Sequence, residues 1–151
     1  MKLKTLKASW VISLIMTLTF ALTVICADAI EWKAANQVTI AWDATTTLID
    51  GQPIPAGAII KYDIYLSNAD TDPGKTNPIK LNAAPIDALQ YVVTLNTEGK
   101  YIVGVKALRF DDTGAMVAES NMNWSDVNGV KTPNPFGLVH YIAPEPPGNL
   151  R

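Results

Sequence analysis

The chain has 151 residues, with 12 basic and 14 acidic side chains, one histidine and one cysteine. That length fits one ordinary domain with targeting and tail segments, and it excludes two full β-sandwiches. A net charge of −2 argues against nucleic acid and anionic lipid as principal partners, because both are held by grouped cations.

Lys2, Lys4 and Lys7 open the chain, and an uncharged run rich in Leu, Ile, Val and Phe follows from Ala8 to Ala27. This is the layout of a secretory signal peptide. The small residues of Ala27-Asp28-Ala29 place the predicted cut after Ala29, with a cut after Ala27 as the runner-up. An uncut run of this length would serve as a membrane anchor, a reading weakened by Ser13, Thr17, Thr19 and Thr23. A lipoprotein signal fits poorly, since Ile25 stands where a small residue should precede Cys26. Cleavage removes the only cysteine, so the exported part has no disulfide and stands on packing alone.

After the cut, Val38, Ile40 and Trp42 alternate with Thr39, Ala41 and Asp43, the period of two that lays one face of a strand on a core. From Asp43 to Ala58 the pattern lapses among Asp50-Gly51, Pro53, Pro55 and Gly57, which predicts a long loop. Ile60, Tyr62, Ile64 and Leu66 mark a second strand, ending near Leu66. Turn-formers from Ser67 to Asn77 predict a broad polar loop, and Ile79–Leu81 a short edge strand. Tyr91, Val93 and Leu95, the turn Asn96–Gly99, and then Tyr101, Val103, Val105 and Ala107 predict a hairpin. Asp111-Asp112-Thr113-Gly114 turns the chain again, and Met116 to about Trp124 is predicted to return as the last strand. No helical period interrupts these strands, so the fold class is all-β, a sandwich or barrel.

Val38-Thr39-Ile40-Ala41-Trp42-Asp43 resembles strand B of a fibronectin type III domain, and Tyr62-Asp63-Ile64-Tyr65 is similar to its strand C. The stretch Leu95 to Tyr101, followed by Val103, Val105 and Ala107, resembles the E–F corner and strand F, while Glu119-Ser120-Asn121 is similar to the start of strand G. The resemblance covers about Gln37 to Ser125. It implies an immunoglobulin-like β-sandwich with Trp42, Tyr62, Leu95 and Tyr101 as structural core, Tyr101 bonding its hydroxyl to nearby backbone. The proline-led first strand of that family is absent, and Ile30–Ala35 stands in its place. The resulting division is a signal peptide over 1–29, a sandwich over 30–130 and a Pro-rich tail over 131–151.

Catalytic constellations are wanting. Asp70, Asp72, Asp111 and Asp112 sit in turns, but their spacing lacks the glycine and distal glutamate of a calcium loop. They read as solvated turn-formers. His140 alone builds neither a metal cluster nor a relay, and no Gly-x-Ser-x-Gly elbow occurs. No catalytic residue, metal or cofactor is therefore assigned. Trp32 and Trp124 fall near the ends of the sandwich, where they cover a sheet edge or stack on a ligand; with the four aspartates they form the predicted ligand surface. Asn123-Trp124-Ser125 also spells a glycosylation sequon.

Pro133, Pro135, Pro144, Pro146 and Pro147 bracket an apolar island, Phe136–Ile142, and Pro146–Arg151 resembles the opening of a fibronectin type III first strand. The tail either folds back on its own sandwich or pairs with the edge of a neighbouring molecule by strand addition. The functional expectation is a secreted, periplasmic or cell-surface interaction module of bacterial type, without catalysis, which binds a surface protein or polysaccharide through loops 43–58 and 67–77 and the 111–114 turn. The alternative is a structural subunit of a surface filament or envelope assembly, self-associating through the C-terminal tail.

Overall fold

The computed structural model describes residues 30–127 and 131–145. The export segment expected over 1–29, Cys26 included, and the ending Pro146–Arg151 lie outside the described residues. Among the described residues there are nine strands: β1 (Glu31–Ala34), β2 (Gln37–Ala41), β3 (Ile59–Asn68), β4 (Ile79–Lys80), β5 (Gln90–Thr94), β6 (Gly99–Phe110), β7 (Met116–Glu119), β8 (Asn123–Trp124) and β9 (Phe136–His140). Among the described residues there is no helix.

The strand β6 organises the larger sheet. Its residues Tyr101–Phe110 pair antiparallel with the whole of β3, from Asn68 opposite Tyr101 to Ile59 opposite Phe110. Its other edge is shared by three shorter strands in turn: β9 against Gly99–Tyr101, β8 against Gly104 and Val105, and β7 against Leu108–Phe110. Beyond β9 lies β1, running parallel to it, and beyond β3 lies β4. The smaller sheet is the antiparallel pair β2 and β5. Its inward residues Ile40 and Val93 join Tyr62, Ile64, Leu66, Tyr101, Val103 and Leu138 of the larger sheet, with Leu95, in one buried cluster. The arrangement is sandwich-like. Each such side chain withdrawn from water contributes about 1.5–3 kcal/mol, and this burial must outweigh the entropy of ordering the strands, since no disulfide assists.

Trp42 follows directly on β2 and meets Tyr62 of β3 edge-on, ring centroids 5.4 Å apart. Beside them the Tyr62 hydroxyl accepts the Thr45 N–H at 2.9 Å. Tyr101 is buried, and its hydroxyl lies 2.7 Å from Thr97 Oγ1 and 3.1 Å from Thr97 O. Where β4 leaves β3, the buried Asn82 takes over as a surrogate strand. Its Oδ1 accepts the Ile64 N–H at 2.8 Å, and its amide donates to Tyr62 O, Asp63 Oδ1 and Ala84 O. Ile86 then bridges to Tyr62, so the edge of β3 stays bonded without a continuous neighbour.

Three expectations need correction. The last strand is not continuous from Met116 to Trp124: the break at Ser120–Met122 divides it into β7 and β8, and a register shift between Arg109 and Phe110 lies within the β6–β7 pairing. Two serines, one in the break and one just past β8, hold the chain to β6 in the same way. Ser120 N–H donates to Ala107 O while its Oγ accepts the Ala107 N–H, and Ser125 does the same with Val103. Secondly, Ile30–Ala35 does not line β2 as a first strand would; β1 crosses to the other sheet and pairs with β9. Thirdly, the sheet does not stop at residue 130: as far as it is described, the chain after that point folds back on its own sandwich, the first of the two readings of the tail. Its apolar island becomes β9, hydrogen-bonded on both edges, with Leu138 wholly buried. Prolines on either side confine the strand, because they cannot donate to a ladder. The turn before β7 follows the sequence pattern: Gly114, at φ 84°, donates its N–H to Asp111 O, a left-handed position that glycine occupies without steric cost.

Candidate interaction surfaces

The two ends of β6 carry different chemistry. At the Gly99 end the loop after β3 is tied down by Asp72. Its carboxylate accepts from Ser67 Oγ, from Thr76 N–H and Oγ1, and from Asn77 N–H, all between 2.9 and 3.1 Å. These bonds, led by the Asn77 and Thr76 backbone N–H groups, hold the Asp72 pKa below the ordinary value of 3.8. Neighbouring Asp70 accepts the Lys100 N–H. Lys75, at φ 54°, reaches out of the same loop to Asp126 at 2.6 Å and over the Trp124 ring at 5.5 Å.

The two tryptophans lie on glycines. A Cβ added to Gly104 would stand 2.8 Å from the Trp124 ring, and one added to Gly137 would collide with Trp32. Each indole therefore lies against the strand where its register partner has no side chain: Trp124 opposite Gly104, Trp32 opposite Gly137. Lys100 Nζ sits 5.4 Å from the Trp32 ring centroid. A shallow cleft of about 170 Å³ remains, lined by Ile30, Trp32, Ala69, Asp72, Lys75 and Ile102 among others. Its aromatic ring is committed to Gly137, and of its two aspartates Asp72 is committed to its own loop and Asp126 to Lys75. All three serve the fold first.

The Phe110 end is built differently. Asp111 Oδ1 accepts from Thr113 Oγ1, Thr113 N–H and Ala115 N–H, and the Thr113 hydroxyl foremost lowers its pKa from 3.8. Gly57 brings loop 43–58 close to this turn, since a Cβ there would lie 3.9 Å from Asp112 Cβ. Within that loop Thr47 bridges Pro53, and the Gln52 carbonyl accepts the Leu48 N–H; Ile49, at its tip, is 94% exposed. Across the three adjacent strands Ile59, Phe110 and Met116 stand in register on one face. Met116 is 56% exposed, and Ile59 and Val117 are about half exposed. Lys61 lies over the Phe110 ring at 5.8 Å.

Of the predicted surface residues, Trp32, Trp124, Asp70 and Asp72 gather at the Gly99 end, while Asp111 and Asp112 stand at the other. The six do not form one site. Loop 43–58 and the 111–114 turn do share an end, with loop 67–77 at the opposite one. Among the described residues no group of three His, Cys, Asp or Glu side chains converges on a metal position. The sequon is drawn into the fold, for the Ser125 hydroxyl is buried against Val103 N–H. Sequence reasoning missed Lys75 and Asp126, which lie 51 positions apart and carry no local pattern. It also missed the apolar row, although the alternation of β3 and β6 already put Ile59 and Phe110 on the outward face. No family model matches the sequence, and a search of curated proteins finds no match.

Proposed function

We propose that this protein is a non-catalytic interaction module, exported to the cell surface, periplasm or medium, and built as a fibronectin type III-like sandwich. The ordered set of Trp42, Tyr62, Leu95-turn-Tyr101 and Ser120 supports that fold type, and the charged start with its apolar run supports the export route. The observation that carries the reading is the row Ile59, Phe110 and Met116 with Val117 beside it, at the same end as loop 43–58. Apolar side chains aligned across three adjacent strands, exposed at Ile59, Met116 and Val117 and part-buried at Phe110 between them, mark a contact surface, and loops on such a scaffold supply selectivity. A row that is aliphatic but for the part-buried Phe110, over whose ring Lys61 lies, suits a protein surface better than a polysaccharide, whose rings stack on open aromatic faces.

Binding of the wild-type chain and of Met116→Lys and Trp32→Ala to arrays of surface proteins and polysaccharides tests this. A protein ligand that Met116→Lys weakens at least about tenfold, equal to about 1.4 kcal/mol, and that Trp32→Ala leaves unchanged is the expected result. A polysaccharide ligand lost with Trp32→Ala, and indifferent to Met116→Lys, would move the contact to the opposite end and refute the assignment.

A further inference from the structure

The smaller sheet is two strands wide, so each of its strands has an edge with no neighbouring strand among the described residues. The bonding pattern says which groups point outward there. Trp42 N–H donates to Leu89 O at 3.0 Å and Leu95 N–H to Asn36 O at 2.7 Å, so with the register of the pair Tyr91 and Val93 turn their backbone groups toward β2. Gln90, Val92 and Thr94 turn theirs away from it, as alternation in an antiparallel ladder requires. Among the described residues those outward N–H and C=O groups meet no backbone partner.

Open edges are normally blunted by charge, proline or brevity, and the larger sheet follows that rule. β1 carries Glu31 and Lys33, and β4 is two residues long with Pro78 before it and Lys80 within it. β5 reads Gln-Tyr-Val-Val-Thr. It has no charge, no proline and no bulge, and Val92 at its centre is 49% exposed.

We propose that β5 is a self-pairing edge, at which a second copy of this chain adds antiparallel about a two-fold axis through Val92. That register sets Val92 against the partner's Val92 and Gln90 against the partner's Thr94, and every one of these pairs uses outward backbone groups. Two molecules of like net charge thus meet along a strip without charged side chains. The β-branched pair at the axis adds a favourable cross-strand contact, and the two small sheets become one four-stranded sheet. The other open edge, β2, has the polar Thr39 at its corresponding centre and is the weaker candidate. A five-residue strand falls short of the roughly 1,000 Å² that durable interfaces bury, so the pairing is weak and concentration-dependent.

Sedimentation velocity and amide exchange on the full chain, from low micromolar to about 1 mM, test the proposal. The dimer fraction and the protection of the Val92 amide should rise together with concentration. Val92→Lys or Val92→Glu alone places like charges across the axis and should weaken pairing at least about tenfold; mixing the two variants sets Lys against Glu and should restore it. A wild-type chain that stays monomeric throughout, association without protection of the Val92 amide, undiminished pairing of Val92→Lys, or loss on Thr39→Lys instead would each overturn the assignment. The amide-exchange arm needs no variant, so a misfolded substitution leaves it standing.

Discussion

Leu138 lies 13 residues from the end of a 151-residue chain, between prolines, yet its side chain is fully buried and its strand is bonded to β1 and β6. Replacing it with alanine removes buried carbons and leaves a hole at the contact of the two sheets. Large-to-small changes of this kind cost about 3 kcal/mol, within a range of roughly 2.7–5. For a domain near 110 residues each kcal/mol moves the melting temperature by about 4 °C, so Leu138→Ala should melt roughly 10–15 °C below wild type. Differential scanning calorimetry gives the shift directly, with Tyr141→Ala as the control: Tyr141 is 62% exposed just past the strand and should change stability by less than about 0.5 kcal/mol. A Leu138→Ala chain that melts within about 3 °C of wild type would refute the placement of residues 136–140 in the core.

Gly104→Ala pushes its new methyl to 2.8 Å from the Trp124 ring and should destabilise by about 1–3 kcal/mol, with a shift in tryptophan emission; unchanged emission and stability would contradict the packing. Asn82→Ala removes the acceptor of the buried Ile64 N–H together with three donated bonds. Urea denaturation should show a loss of about 1–3 kcal/mol, the cost of leaving such a group unpaired. Asp72 and Asp111 have folded pKa values below 3.8, so each stabilises its turn when ionised. That contribution is complete above the ordinary carboxylate value and is lost as pH falls through the lowered folded one. Carboxyl carbon shifts followed by NMR should therefore place both midpoints under 3.8, and a midpoint above it would disprove the hydrogen-bonding scheme.

Strands that alternate cleanly are legible in the amino-acid pattern alone. Val38/Ile40, Ile60 to Leu66, Tyr91/Val93 and Tyr101 to Ala107 each carry the inward face of a strand, because period two is dictated by the pleat itself. The partner of a strand is not so dictated. Glu31–Ala34 reads as a short strand at either edge, and its parallel seat beside β9 depends on Trp32 finding Gly137 from more than a hundred residues away. The same remoteness hides β9. Five prolines suggest an extended tail, and only the room left against Gly99–Tyr101 by the short β7 and β8 makes that segment a strand. Asp72 and Asp111 are legible as turn-formers, since an aspartate followed by threonine, asparagine or glycine bonds its own turn. Lys75 bridging to Asp126 is not, because an ion pair between two loops leaves no mark in either.

Everything rests on two sheets closing over one shared core, and the contact of Trp42 with Tyr62 spans them. A nuclear Overhauser spectrum of the aromatic region measures it, with the two ring centroids at 5.4 Å and Ile40 and Val93 in the same cluster as Tyr62 and Tyr101. Cross-peaks from the Tyr62 ring to the Trp42 indole, and from both tyrosine rings to the Ile40 or Val93 methyls, are predicted. Tyrosine rings that show cross-peaks only within the larger sheet would contradict the fold and every surface derived from it.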